Sequence, residues 1–251
     1  MSELEGRHAL VTGASGGLGL GESIALARAG ARVTMLDLPG KDAAVADARA
    51  AVPGARIDWL GVDLSNVRTA QRAVADHAAD APVDILVNNA AVNPLKAMDA
   101  YDVDEYERTQ TVNATAAFAL SQAVLPGMKA AGRGAIVHLT SITLNGGWGD
   151  FTAYVASKGT LLGLTRSMAR ELGRWNIRVN TISPGAIPTA LETEVWGDQI
   201  ESYEAMLLDR QALKVRGSVD DVAEAILFMV SDRAKFVTGQ NLSIDGGWWM
   251  H

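Results

Sequence analysis

Seven short apolar runs recur along the chain, each separated from the next by a longer stretch with helical spacing of apolar and polar positions. The runs are 8–12, 32–36, 57–62, 85–88, 135–139, 177–182 and 242–244. Helices are predicted from the first glycine cluster to Gly30, then over 42–51, 66–78, 103–129, 151–172 and 219–230. Strand–helix alternation from end to end, with no repeat, linker or low-complexity tract, predicts one α/β domain over residues 1–251. The segment 186–217 is too long for an ordinary helix–strand connection, so it is expected to act as a lid over a site.

The first strand, His8–Thr12, runs into Gly13-Ala14-Ser15-Gly16-Gly17-Leu18-Gly19 and then a helix, and the second strand ends on Asp37. Strand, glycine turn, helix, strand and acid form a dinucleotide-binding βαβ unit, here spaced Gly13-x-x-x-Gly17-x-Gly19. Glycines let the backbone approach a pyrophosphate at the positive helix N-terminus. The predicted fold class is therefore a Rossmann-type, doubly wound parallel sheet of about seven strands with helices on both faces. Asp37 is placed to accept hydrogen bonds from the adenosine ribose hydroxyls. It would repel a 2′-phosphate, and Gly16 and Leu38, where a compensating base would sit, are neutral, so NAD is expected in preference to NADP.

Other strand ends also face the ligand edge of such a sheet. Asp63-Leu64 follows the third strand, where Asp63 can accept from adenine or cap the next helix. Asn88-Asn89-Ala90 follows the fourth, and the two asparagines are expected to brace the turn and not to touch substrate. His138 is read as a core residue, and Ser141 sits at the ligand edge.

Tyr154 and Lys158 are one turn apart on a helix, so phenol and ammonium become neighbours. A cation about 5 Å away, at an effective dielectric of ~20, favours the phenolate by about 3 kcal/mol, or about two pKa units. That would bring the tyrosine towards working pH as a general acid or base.

Composition narrows the chemistry. The 251 residues are 48% apolar and 20% charged, which suits a globular protein with a large core. A net charge of −7 argues against nucleic acid or an anionic membrane surface as partner. Without cysteine, disulfides and thiolate chemistry are excluded, and no metal-ligand cluster is visible. The polar, acidic start is unlike a signal or transit peptide, and the longest uncharged run, 109–128, carries too many polar residues for a membrane span; a cytoplasmic location is expected.

Taken in order, Thr12-Gly13-x-x-x-Gly17-x-Gly19, Asn88-Asn89-Ala90, Asn113, Ser141, Tyr154-x-x-x-Lys158 and Pro184-Gly185 resemble the short-chain dehydrogenase/reductase family over essentially the whole chain. Ala91 departs from the glycine usual in that family's asparagine turn. The resemblance implies that Tyr154 is the general base for alcohol oxidation and that Ser141 binds the reacting oxygen. It implies that Lys158 holds the nicotinamide ribose and lowers the tyrosine pKa, and that Asn113 positions a relay water. The implied cofactor contacts are Gly13, Ser15, Gly17, Leu18, Gly19, Asp37, Leu38, Asp63, Leu64, Asn89, Ala90, Pro184, Gly185, Ile187 and Thr189, besides Tyr154 and Lys158.

Members of the family are commonly tetramers, and Ala156, Gly159 and Gly163 offer a small-residue face for close helix packing. The apolar tail Trp248-Trp249-Met250-His251 is expected to be buried at a subunit interface. Candidate substrate contacts are Asn93, Ser141, Asn145, Trp148, Ile187, Trp196 and Arg210; polar groups beside indoles suit a sugar or polyol. The expected activity is NAD-dependent hydride transfer from a secondary alcohol or sugar hydroxyl. The alternatives are a 3-oxoacyl-thioester reductase of the same family and a non-catalytic dinucleotide sensor.

Overall fold

Parallel strands buried on both faces should be largely apolar, and the central strands of this chain are, with His8, Thr12, Asn88 and His138 as the buried polar exceptions. In the computed structural model, which describes residues 2–189, 192 and 197–250, β1 (His8–Thr12) and β4 (Ile85–Asn88) are buried at every position. With β2 (Arg32–Asp37), β3 (Ile57–Gly61), β5 (Gly134–Leu139), β6 (Ile177–Pro184) and β7 (Asn241–Ile244) they form one parallel sheet in the order β3-β2-β1-β4-β5-β6-β7. The register pairs Val11 with Met35 on one side and with Val87 on the other.

Alternate residues of each strand feed opposite cores. Val11, Val33, Val87 and Val137 pack under α1 (Gly17–Arg28) and the late helix Val219–Val230, through Leu26 and Ile226. Leu10, Leu36, Leu86 and Ile136 pack under α3 (Val67–Asp80) and the helix Ala116–Ala131, through Val74, Leu120 and Val124. Between α1 and α3 lies α2 (Ala44–Ala51), which begins two residues later than the pattern predicts. The order reverses between β1 and β4, and the crevice at their carboxyl ends is where such sheets bind ligands.

One predicted helix is not continuous. The span 103–129 is built as α4 (Val103–Gln110), a π turn (Thr111–Thr115) and α5 (Ala116–Ala131). The wide turn places Asn113 where its amide clamps a neighbouring loop, a tertiary demand that periodicity does not reveal. The expected loop 143–150 opens with a one-turn helix, α6 (Thr143–Gly146), before α7 (Thr152–Leu172). Within 186–217, α8 (Ile200–Arg210) precedes α9, the helix Val219–Val230, which Ser218 and Asp221 cap reciprocally.

Candidate active site

The glycine turn is held from outside by two residues of the asparagine turn. Thr12 Oγ1 accepts from the amides of Asn89 (3.1 Å) and Ala90 (3.0 Å), while Asn89 Nδ2 donates to the carbonyls of Thr12 and Gly13. Gly13 and Gly17 have φ of +65° and +54°, a region that favours glycine. A Cβ on Gly19 would lie 2.2 Å from the Gly13 carbonyl oxygen. Gly16 supplies no side-chain cap to α1, whose first turn carries no acid, so its amides and positive end face the crevice uncompensated. This cradle fits a dinucleotide pyrophosphate. Thr189 lies against the turn: its Cγ2 is 3.7 Å from the Cβ position of Gly17.

Asp37 closes the next part of the crevice. Its carboxylate accepts from the Ser15 amide (3.0 Å), the Ser15 hydroxyl (2.7 Å) and the Leu38 amide (2.7 Å), which fixes a negative charge beside the glycine turn. Asp63 closes a turn just ahead of Asn66, the N-cap of α3: its carboxylate accepts from the Ser65 amide at 2.8 Å, and this bond holds its pKa below the usual value. The Leu64 side chain is buried in the core, which leaves its backbone at the ligand edge. Leu18 packs partly against the other core, as does Ile187. Pro184 and Gly185 bond to Ile142 and Ile244, tying the end of β6 to the segment after Ser141 and to β7.

Ser141, Tyr154 and Lys158 come together beyond β5. Ser141 Oγ accepts from the Thr143 amide and hydroxyl, and it lies near enough to Tyr154 to favour the ionised phenol. Lys158, only 2% exposed, donates through Nζ to the Leu139 carbonyl at 2.6 Å and lies 5.1 Å from the centre of the Tyr154 ring. Asn113 accepts from the Val92 amide at 2.8 Å and donates to the Val92 carbonyl and to Ser157, so its side chain joins the π turn to α7.

Electrostatics here correct the sequence expectation. Burial pushes the Tyr154 phenol up to about 12, opposed by nearby Ser141, and pushes Lys158 down to about 7, opposed by Glu22. The ammonium was expected to lower the phenol; desolvation of the half-buried phenol outweighs it. Glu22, on α1, escaped the sequence reading because it matches no motif. It is fully buried, neither carboxyl oxygen finds a hydrogen-bond partner among the described residues, and burial raises it to about 8 against the pull of Lys158. His138 is a core residue as expected: it is bonded to Asn88 and held down to about 4, first by burial and then by Lys158.

The substrate candidates divide. Trp148 stands beside the site, 6.1 Å from the Phe151 ring, which is 6.3 Å from that of Tyr154. Asn145 lies on α6, two residues beyond Thr143, and Asn93 is exposed in the loop after the asparagine turn. Trp196 lies outside the described residues. Arg210 is exposed at the end of α8, and the arginine with contacts across the expected lid is Arg216. Arg216 bonds both Glu192 carboxylate oxygens (2.7 and 2.9 Å), Glu204 and the Ala186 carbonyl. A cavity of about 390 Å³ lies here, lined by Ile187, Leu213, Arg216 and Asp245 among others. In the tail, Trp248 packs on Trp148 of its own chain, at 5.1 Å between rings. Gly163 has nothing within 4 Å of its Cβ position, whereas Gly159 faces Leu144.

Residues 13–249 match the family model described as enoyl-(acyl carrier protein) reductase. A probable galactose dehydrogenase of Rhizobium meliloti is 37% identical over 98% of this chain and 96% of its own. An L-xylulose reductase of Homo sapiens is 37% identical over 98% of each chain. The crystal structure of a gluconate 5-dehydrogenase from Burkholderia cenocepacia, in complex with NADP and tartrate, superposes with a TM-score of 0.91 at 31% identity, covering 98% and 96% of the two chains.

Proposed function

The chain belongs to the short-chain dehydrogenase/reductase family, and on that premise we propose that it oxidises a hydroxyl of a neutral sugar or polyol with NAD. The observation that carries the reading is Lys158, buried and 5.1 Å from the centre of the Tyr154 ring, with Ser141 beside them at the carboxyl end of β5. The sugar-directed relatives support the substrate class.

Bound nicotinamide supplies the hydride acceptor. Ser141 Oγ holds the reacting oxygen, and Tyr154 takes the hydroxyl proton as the carbon loses its hydride and C=O forms. Lys158 uses one N–H on Leu139, leaving two to hold the ribose and relay the proton. Asn113 is a positioning residue that fixes the Val92 loop and Ser157 behind this set. The segment 186–217 serves as the lid, latched by the Arg216–Glu192 ion pair.

The fixed charge of Asp37 beside Ser15 supports NAD, although the gluconate 5-dehydrogenase structure carries NADP. Asp37→Ser should weaken NAD binding about tenfold and relax discrimination against NADP. A wild type that already prefers NADP would overturn the charge argument. Exposed Val103, Tyr106 and Phe118 on α4 and α5 support a homotetramer in solution, which sedimentation tests. No helix among the described residues is long and apolar enough to cross a membrane, which is compatible with a cytoplasmic enzyme.

A screen of sugars, polyols, simple secondary alcohols and 3-oxoacyl thioesters with both cofactors, read by absorbance of the reduced nicotinamide, tests the reading. The thioester reductase is the second reading, favoured by the matched family's description. Turnover confined to thioesters would replace the sugar reading.

A further inference from the structure

The last residues of the chain are built into the site's edge. Asp245, only 7% exposed, accepts from the amides of Gly247 and Trp249 through separate carboxylate oxygens, each at 3.0 Å. Its carbonyl takes the Trp248 amide and the Gln211 side chain, and Leu213 donates to the Gly246 carbonyl. The chain therefore reverses after β7 in a fixed turn that also grips the end of the lid segment.

That turn presents two indoles to the segment after Ser141. Trp248 lies 5.1 Å from Trp148 at 41°, and the ring contacts continue through Phe151 to Tyr154. Trp249 meets the same segment at Gly146: a Cβ there would lie 3.0 Å from Trp249 Cζ2 and against Trp148 Nε1. The Trp249 Nε1 donor is buried and finds no acceptor among the described residues. A buried donor without a partner costs about 1–3 kcal/mol, and a ligand oxygen placed there would remove that cost.

We propose that Trp248 and Trp249, with Trp148, form an aromatic wall of the substrate pocket that selects a closed-ring sugar. The wall stacks on the C–H face of the ring, and Trp249 Nε1 donates to one of its oxygens. The inference rests on the sugar reading above and deepens it. Indole faces offer no counter-charge, which favours a neutral ligand. A pyranose presents a flat patch of C–H groups in one preset conformation. An open-chain polyol must freeze several torsions to match it, at an entropic cost for each.

The test compares D-galactose with its own open-chain alcohol, galactitol, on the full-length protein. Wild type should bind and oxidise the ring form at least tenfold better in kcat/KM. Trp248→Ala and Trp249→Phe should raise KM for the ring sugar at least tenfold, with the cofactor KM within twofold of wild type. Trp249→Phe should also lose the quenching of tryptophan fluorescence that the sugar causes in wild type. Should Trp248→Ala fail to fold, Gly146→Ala, which forces the Trp148 and Trp249 indoles away from the α6 turn, reads the same KM. An unchanged KM in the variants, beside a wild type that oxidises D-galactose, overturns the wall alone. A wild-type preference for galactitol overturns its ring selectivity. A wild type inactive on every sugar and polyol overturns the sugar reading itself, and the wall with it.

Discussion

Tyr154 is kept protonated by its surroundings, and that sets the direction in which pH acts on the reaction. With the phenol pushed up to about 12 by burial, it is a competent acid throughout the neutral range, and its base form grows about tenfold per pH unit. Alcohol oxidation should accordingly accelerate with pH while carbonyl reduction stays flat, which the two pH–rate profiles will show. Tyr154→Phe should lower turnover by about 10²–10⁴-fold with cofactor affinity retained, measured by cofactor fluorescence. Glu22 is the second residue with a visible consequence. Its carboxyl is raised from 4.5 to about 8, so its contribution to stability is complete below 4.5 and is lost as pH rises through 8. Glu22→Gln stays neutral at every pH. The variant should match wild type in unfolding free energy at pH 5 and exceed it at pH 9, by several kcal/mol at about 1.4 kcal/mol per unit, with a higher thermal midpoint there.

At the scale of elements, the site depends on three joints between strand and helix: the glycine turn, the asparagine turn and α6. The first two are locked together, since Asn89 donates to Thr12 from both its amide and its side chain and Gly13 has Ala90 Cα 2.8 Å from its Cβ position. Gly19→Ala would drive a methyl into the Gly13 carbonyl. We expect it to cost about 1–3 kcal/mol of stability and to weaken dinucleotide binding more than it changes KM for the alcohol, as calorimetry and kinetics can separate. The glycine and asparagine turns were legible in the sequence because glycine, asparagine and strand ends leave local signals, whereas α6 was expected as a loop. The π turn at Asn113 was not legible, because nothing in the spacing of residues 103–129 shows that one amide must reach Val92 and Ser157.

Across the whole molecule, burial of histidines shapes acid stability. His8 and His77 share the Thr34 hydroxyl, at 2.8 and 2.9 Å, near the sheet end opposite the site. Both are lowered, chiefly by burial, and His138 is held at about 4. Lowered folded values mean stability that is present above the unfolded value of 6.5 and is lost as pH falls towards 4. Glu22 acts in the opposite sense over much of that range, so the Glu22→Gln background should expose the histidine loss as a steady fall in thermal midpoint from pH 7 to pH 4. His138 alone accounts for about 3 kcal/mol of it.

The order of apolar runs and turn residues determined the parallel sheet and the glycine cradle, because each rests on a local period or a backbone constraint; helical spacing made Tyr154 and Lys158 neighbours, and only the family resemblance joined Ser141 to them. Tertiary structure alone decided three other features. Desolvation, which depends on what surrounds a group in space, reversed the expected shift of Tyr154 and made a neutral acid of Glu22. A half-buried ion pair between Arg216 and Glu192 joins two distant parts of the segment 186–217. The fixed turn at Asp245 folded the tail back on Trp148, a contact about a hundred residues distant in sequence that no local pattern encodes.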